Sequence, residues 1–206
     1  MTPIKEICVE SFEEALCAAA AGASRIELCD NLSVGGTTPS LGTIKRCQEK
    51  ITVPVMVMIR PRGGNFCYSA EEFDIMKDDI LVCKKLNVKG VVFGILDETG
   101  CIDKERTREF VQFSRPMEVT FHKAIDQARD ILEAVSFLKE IGVERILSSG
   151  GKETALEGAE TLRQMIRLAA PQLTIIVAGK VTKENFESVQ SHIPSNEFHG
   201  RKLIDF

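Results

Sequence analysis

The chain has no tryptophan and a single tyrosine, which leaves little to stack on nucleic-acid bases. A basic excess is missing too. Lys and Arg number 26 against 30 Asp and Glu, a formal charge of −4, the wrong sign for a nucleic-acid partner. The longest purely apolar run, Val53–Ile59, falls far short of the roughly 20 residues that a membrane span needs. The start reaches charged Lys5 and Glu6 without a signal-peptide apolar region. No nucleic acid and no membrane are therefore expected as partners, and a cytoplasmic location is. None of the seven cysteines stands in a C-x-x-C pair, so neither a zinc ribbon nor a thioredoxin-like site is indicated. In a reducing compartment they should be free thiols. Those on helical stretches, Cys17, Cys47 and Cys83, read as core, and Cys67 and Cys101 as exposed loop thiols.

What is present is a full-sized hydrophobic complement. At 206 residues with 44% hydrophobic and 27% charged side chains, folding buries roughly 70% of the unfolded surface without disulfides. One domain over residues 1–206 accounts for this length. Eight short apolar runs recur at Ile4–Val9, Arg25–Cys29, Val53–Ile59, Gly90–Leu96, Glu118–His122, Glu144–Ser148, Leu173–Ala178 and Asn196–His199. Helical patterns lie between them, including Phe12–Ala21 behind Ser11, Glu71–Leu86, Asp130–Ile141, Glu157–Ala170 and Thr182–Ile193. Strands alternating with helices must pair in parallel. A doubly wound sheet would carry G-x-G-x-x-G after its first strand, where this chain has Glu10-Ser11-Phe12-Glu13. The expected fold is thus a closed α/β barrel of the TIM (β/α)8 type, compact beside the usual ~250 residues. Seven long helices are expected, with the eighth missing or vestigial. Only six residues follow Gly200, and Leu203, Ile204 and Phe206 could fold back over the uncovered flank, or a second copy could cover it. A homo-oligomer, most simply a dimer, is the expectation.

Three segments carry a resemblance. Ile26-Glu27-Leu28-Cys29-Asp30-Asn31-Leu32-Ser33 runs on through Gly35-Gly36-Thr37-Thr38-Pro39-Ser40-Leu41-Gly42. Val55–Gly64 holds Met58-Ile59-Arg60-Pro61-Arg62-Gly63-Gly64. Val119-Thr120-Phe121-His122-Lys123-Ala124 goes with Ser148-Ser149-Gly150-Gly151. With Gly90–Gly94 and Glu197-Phe198-His199, they closely resemble the copper homeostasis protein CutC family over essentially the whole chain. The resemblance implies a TIM barrel, a cytoplasmic location, oligomers and a role in copper handling that includes Cu(I) binding. No organic cofactor is implied. Val34 and Asn65 stand where the family usually has acidic residues, and the turn after strand seven reads Ala178-Gly179-Lys180, so no catalytic role is expected there.

Alternation along a barrel strand places Glu6, Cys8 and Glu10 of strand one, and Glu27 and Cys29 of strand two, toward the interior. Neighbouring strands lie about 4.8 Å apart, so Cys8 and Cys29 can share one wall. Two thiolates suit Cu(I), and the resemblance points to the same two residues; equally, both could simply fill barrel volume. Met56 and Met58 are possible thioether ligands but more readily core. A second function is written at the carboxyl ends of the strands, where barrel enzymes keep their sites. Glu27, Arg60 and His122 could there serve as carboxylate, anion clamp and proton-transfer group. Arg62, Ser148, Ser149, Gly150, Gly151 and Lys180 could bind a small anionic or phosphorylated metabolite. The bland alternatives are a buried Glu27–Arg60 ion pair, a scaffolding histidine and an ordinary turn.

Overall fold

A computed structural model describes residues 2–206, so Met1 of the expected domain lies outside the described residues. Eight strands close into a barrel in sequence order, every neighbouring pair parallel. They are β1 (Ile4–Val9), β2 (Arg25–Leu28), β3 (Val55–Met58), β4 (Gly90–Phe93), β5 (Glu118–Phe121), β6 (Arg145–Ser148), β7 (Thr174–Val177) and β8 (Glu197–His199). Seven α-helices alternate with them: α1 (Phe12–Ala20), α2 (Leu41–Lys50), α3 (Ala70–Lys85), α4 (Lys104–Ser114), α5 (Ile131–Glu140), α6 (Ala159–Ala169) and α7 (Phe186–His192). The TIM-type architecture expected from the strand and helix alternation is the one observed.

Capping residues set most helix starts. Ser11 accepts from the Glu14 N–H at the head of α1, and Asp130 accepts from Leu132 and Glu133 at the head of α5, supplying donors of the first turn with an acceptor. Ser69 and Glu72 form a reciprocal capping box at α3. Two helices are shorter than their patterns. Glu157 belongs to a turn, its carboxylate accepting from the Thr154 N–H and hydroxyl, and α6 begins only after Gly158. Thr182–Asn185 likewise turns on itself, with Asn185 Oδ1 accepting from Thr182 N at 2.8 Å. So α7 spans only 7 residues and is not the long helix expected.

No helix follows β8 among the described residues. Leu203 is fully buried against the core and Ile204 partly so, whereas Phe206 stays 44% exposed. The fold-back expected of these three residues therefore holds for two. Arg201 ties the segment to Glu10 and to Glu14 of α1.

The apolar residues divide as strand alternation dictates. Ile7, Val9, Ile26, Leu28, Val55 and Val57 join the layer between strands and helices. Cys8, Cys29, Met56, Met58 and Val92 form a separate cluster inside the barrel, and Leu147, Ile176 and Ala178 fill another part of it. Toward the amino-terminal ends of the strands the interior is ionic. Arg25 bridges Glu6 and Glu197, the latter at 2.6 Å, and Arg145 pairs with Glu118 at 2.5 Å. Removing one partner of so buried a network costs about 3–5 kcal/mol. Cys47 and Cys83 are core as expected, but Cys17 is exposed, because α1 turns it away from the face carrying Ala15 and Ala18; Cys67 and Cys101 are half-buried rather than exposed.

Candidate functional site

Parallel register sets Cys8 beside Glu27, and Glu6 beside both Arg25 and His199. Closure of the barrel therefore carries His199, from the far end of the chain, to the wall formed by β1 and β2. Cys29 follows β2 and stays in register through its N–H bond to Val9 O at 2.9 Å. The two sulfurs, Cys8 Sγ and Cys29 Sγ, are 3.9 Å apart. Cys29 Sγ lies 3.5 Å from Glu27 Oε2, and His199 Nε2 lies 3.7 Å from that same oxygen. On its other edge, His199 Nδ1 meets Glu6 Oε1 at 2.8 Å. Ligand atoms of Cys8, Glu27 and His199 all fall within 4.8 Å of one another. Gly36 roofs the pair at φ +86°, where a Cβ would come within 3.2 Å of Cys29 Sγ.

Burial and close charges set the protonation. A hydrogen bond from Cys29, helped by His199, draws the Cys8 thiol down to about 5 against the effect of burial. The same contact with Cys8, together with burial, pushes Cys29 up. Burial and the Cys8 thiolate raise Glu27 well above the carboxylate range. Burial opposes the charged forms of Glu6 and His199 as well, but it is outweighed. Arg25 and His199 hold Glu6 at about 2, and Glu27, Cys8 and Glu6 raise His199. These contacts favour the thiolate at Cys8 over Cys29 and the protonated form of His199.

Beside this cluster opens a cavity of 150 Å³, whose wall includes Cys8, Glu27, His199, His122, Met58 and Phe66. Of the proposed trio Glu27, Arg60 and His122, the first and last line it and Arg60 does not. The Arg60 guanidinium donates to the carbonyls of Val34, Gly36 and Gly64 at 2.8–3.0 Å, so it clamps two loops instead of waiting for an anion. The alternative of a Glu27–Arg60 ion pair is not met among the described residues; Arg25 and Arg145 are the arginines paired inside the barrel. Arg62 is likewise engaged, by Glu72 at 2.5 Å and by loop carbonyls.

The Ser148–Gly151 loop does form an anion nest, and the chain fills it itself. Asp126 accepts from Ser148 Oγ at 2.6 Å, from the N–H groups of Ser149 and Gly151, and from Ser149 Oγ. Lys123 adds an ion pair at 2.6 Å. The amide of Gly150 donates to Ser148 Oγ. Burial alone would raise the Asp126 carboxyl, but Lys123 and these donors keep it below the ordinary aspartate value. Lys180 points outward to Glu153. The anion-binding expectation fails at this loop because its donors are already satisfied.

The model of the CutC family matches residues 3–204. The chain belongs to the CutC family. It is 42% identical over 196 residues to the copper homeostasis protein cutC homolog of Homo sapiens, covering 95% of this chain and 72% of that one. A family protein CutC of Enterococcus faecalis is 40% identical over 208 residues, covering 98% and 100%. A Streptococcus agalactiae CutC crystal structure superposes with a TM-score of 0.92 at 35% identity, over 98% of this chain and 100% of that one. A dihydrodipicolinate synthase of Bacillus anthracis, at 12% identity and TM-score 0.69, shares the barrel alone. Within this CutC-family barrel, sequence reasoning placed Cys8, Cys29, Glu27, His122 and His199 at the mouth and Glu6 inward, but gave Glu6 and His199 no role in the site and overlooked Asp126. His199 had a signal, since a closed barrel must set the last strand beside the first. Asp126 had none, because the serine and glycine donors it meets lie more than 20 residues away in a loop.

Proposed function

We propose that this CutC-family protein binds Cu(I) between Cys8 and Cys29 and handles it in the cytoplasm, as one domain. The observation that carries the reading is the 3.9 Å separation of the two sulfurs. Two metal–thiolate bonds of about 2.3 Å span up to about 4.6 Å, so one ion reaches both without backbone movement. Thiolates are the soft donors that Cu(I) prefers. The surroundings favour the Cys8 thiolate, and capture releases the protons held by Cys29 and by His199 Nε2. Glu6 orients His199 from behind, as carboxylates do for metal-bound imidazoles, which leaves Nε2 as the third donor. Met58 shares the cluster and the cavity wall. Relatives named as copper homeostasis proteins support the same reading, and seven free cysteines suit a reducing compartment.

An anaerobic titration of Cu(I) against a chromophoric chelator tests it. The protein is expected to take one Cu(I) per chain and the Cys8→Ser, Cys29→Ser double variant none; unchanged stoichiometry in the double variant overturns the assignment. The anionic-metabolite alternative loses its anchors, since Arg60, Arg62 and the Ser148–Gly151 donors are engaged within the chain. Homo-oligomer formation remains part of the proposal, with exposed Leu16 and Phe206 as apolar contact residues. Light scattering at micromolar concentration is expected to return a multiple of 22.8 kDa, and a monomer mass contradicts it.

A further inference from the structure

The cavity beside the thiols has a wall that a soft metal ion does not require. Phe66 and Leu32 give it an apolar side, and two buried polar atoms, His122 Nε2 and Glu27 Oε1, have no hydrogen-bond partner. Buried polar groups are nearly always paired, and each exception needs a reason. For His122 the protonation is fixed by geometry. Its Nδ1 accepts from the Ala124 N–H at 3.2 Å, so Nδ1 bears no proton and, in the neutral ring, Nε2 does. The unpaired atom is therefore a donor. Gly94 makes room for this placement, since a Cβ there would lie 2.5 Å from His122 Nδ1. The ring packs against Phe66, with centroids 4.9 Å apart.

We infer that this cavity binds a small uncharged organic molecule, whose carbonyl or hydroxyl oxygen accepts a hydrogen bond from His122 Nε2–H. Size sets one limit: an apolar cavity of about 150 Å³ takes up benzene, so a body of roughly six carbon-sized atoms fits. Charge sets another. Of the two cationic groups on the wall, Lys123 is held by Asp126 and Ser149 and His199 by Glu6 and Glu27, so neither is free to meet a carboxylate or phosphate group. A hydroxyl elsewhere on the ligand satisfies Glu27 Oε1. The inference does not rest on copper binding, although the two sites share Glu27 and Cys8.

Cyclohexanone, an apolar body of this size with one acceptor oxygen, is the probe, and benzoate is its anionic counterpart. Both are added to the metal-free chain of residues 1–206 under reducing conditions. Binding is read by saturation-transfer NMR and by the ¹⁵N-edited imidazole resonances of the histidines. Cyclohexanone is expected to bind in preference to benzoate and to shift the His122 Nε2–H signal, a readout that needs no variant. His122→Phe should weaken binding about tenfold, the consequence of losing one such hydrogen bond. Gly94→Ala, which displaces the ring from outside the cavity, should do the same. Cys29→Ser, whose side chain is not on the cavity wall, should bind cyclohexanone as the parent does while losing Cu(I), and His122→Phe should still take up Cu(I), so failure here and failure of the copper reading are distinguishable. Absence of cyclohexanone binding, equal or tighter binding of benzoate, an unmoved Nε2–H signal, or full affinity in both His122→Phe and Gly94→Ala overturns the inference.

Discussion

Replacing Asp126 with alanine should empty the nest that the chain now fills. Its carboxylate has a side-chain exposure of 10% and accepts from Ser148 Oγ, Ser149 N, Ser149 Oγ, Gly151 N and Lys123. Ser148 and Ser149 are fully buried. In Asp126→Ala the buried Ser148 Oγ and Ser149 N–H lose their acceptor together, while Ser149 Oγ keeps Lys152 O, and an orphaned buried donor costs about 1–3 kcal/mol. Partial rehydration through the exposed edge lowers the sum, leaving a loss of about 3–5 kcal/mol, the range found when a buried charge loses its partner. With a urea slope of about 2–3 kcal/mol/M, the unfolding midpoint should fall by about 1–2 M. The empty nest should then recruit a carboxylate from solution. Acetate at ten times its dissociation constant returns about 1.4 kcal/mol, so it should recover about half a molar of midpoint in the variant and not in the parent. A midpoint drop below about 0.3 M would show that the donors find other partners. Equal stabilisation of the parent by acetate would show that the nest is open after all, and would return the anionic-metabolite reading to consideration.

Two further predictions concern His122 and Arg60. Burial, with Arg60 adding to it, lowers His122 to about 3, so the folded protein holds it neutral while the unfolded chain protonates near 6.5. Because the folded value is the lower one, its stabilising contribution is complete above pH 6.5 and is lost as pH falls, by about 2 kcal/mol at pH 5. Urea titrations from pH 7 to 5 should show that loss in the parent and lack it in His122→Phe, and parallel profiles refute it. Arg60→Lys keeps the charge but cannot span the carbonyls of Val34, Gly36 and Gly64. A loss of about 2 kcal/mol should lower the melting temperature by about 4–8 °C, and an unchanged melting curve would deny Arg60 its clamping role.

The barrel was legible because its signal is local and repeated. Apolar strands, caps such as Ser11 and Asp130, and inward alternation of Cys8 and Glu27 each follow from a few neighbouring residues. What lay beyond the sequence is who partners whom. Arg60 and Glu27 were natural candidates for one ion pair. Instead, the shorter reach to three loop carbonyls took Arg60, while Arg25, read only as the start of a strand, entered the barrel to meet Glu6 and Glu197. The Ser148–Gly151 loop was rightly read as a set of donors, but its acceptor comes from the short 3-10 segment Lys123–Gln127 after β5, which has no apolar periodicity to reveal it. The missed role of His199 shows the same limit from another side, since its neighbours are set by closure of the ring.

The account stands most directly on the two sulfurs. Copper-edge X-ray absorption of the Cu(I)-loaded protein, prepared under reducing conditions, counts the atoms around the metal. Two sulfur scatterers at about 2.3 Å, lost in the Cys8→Ser, Cys29→Ser double variant, are the predicted result. A first coordination sphere of nitrogen and oxygen alone, or one that the double variant leaves unchanged, would contradict it.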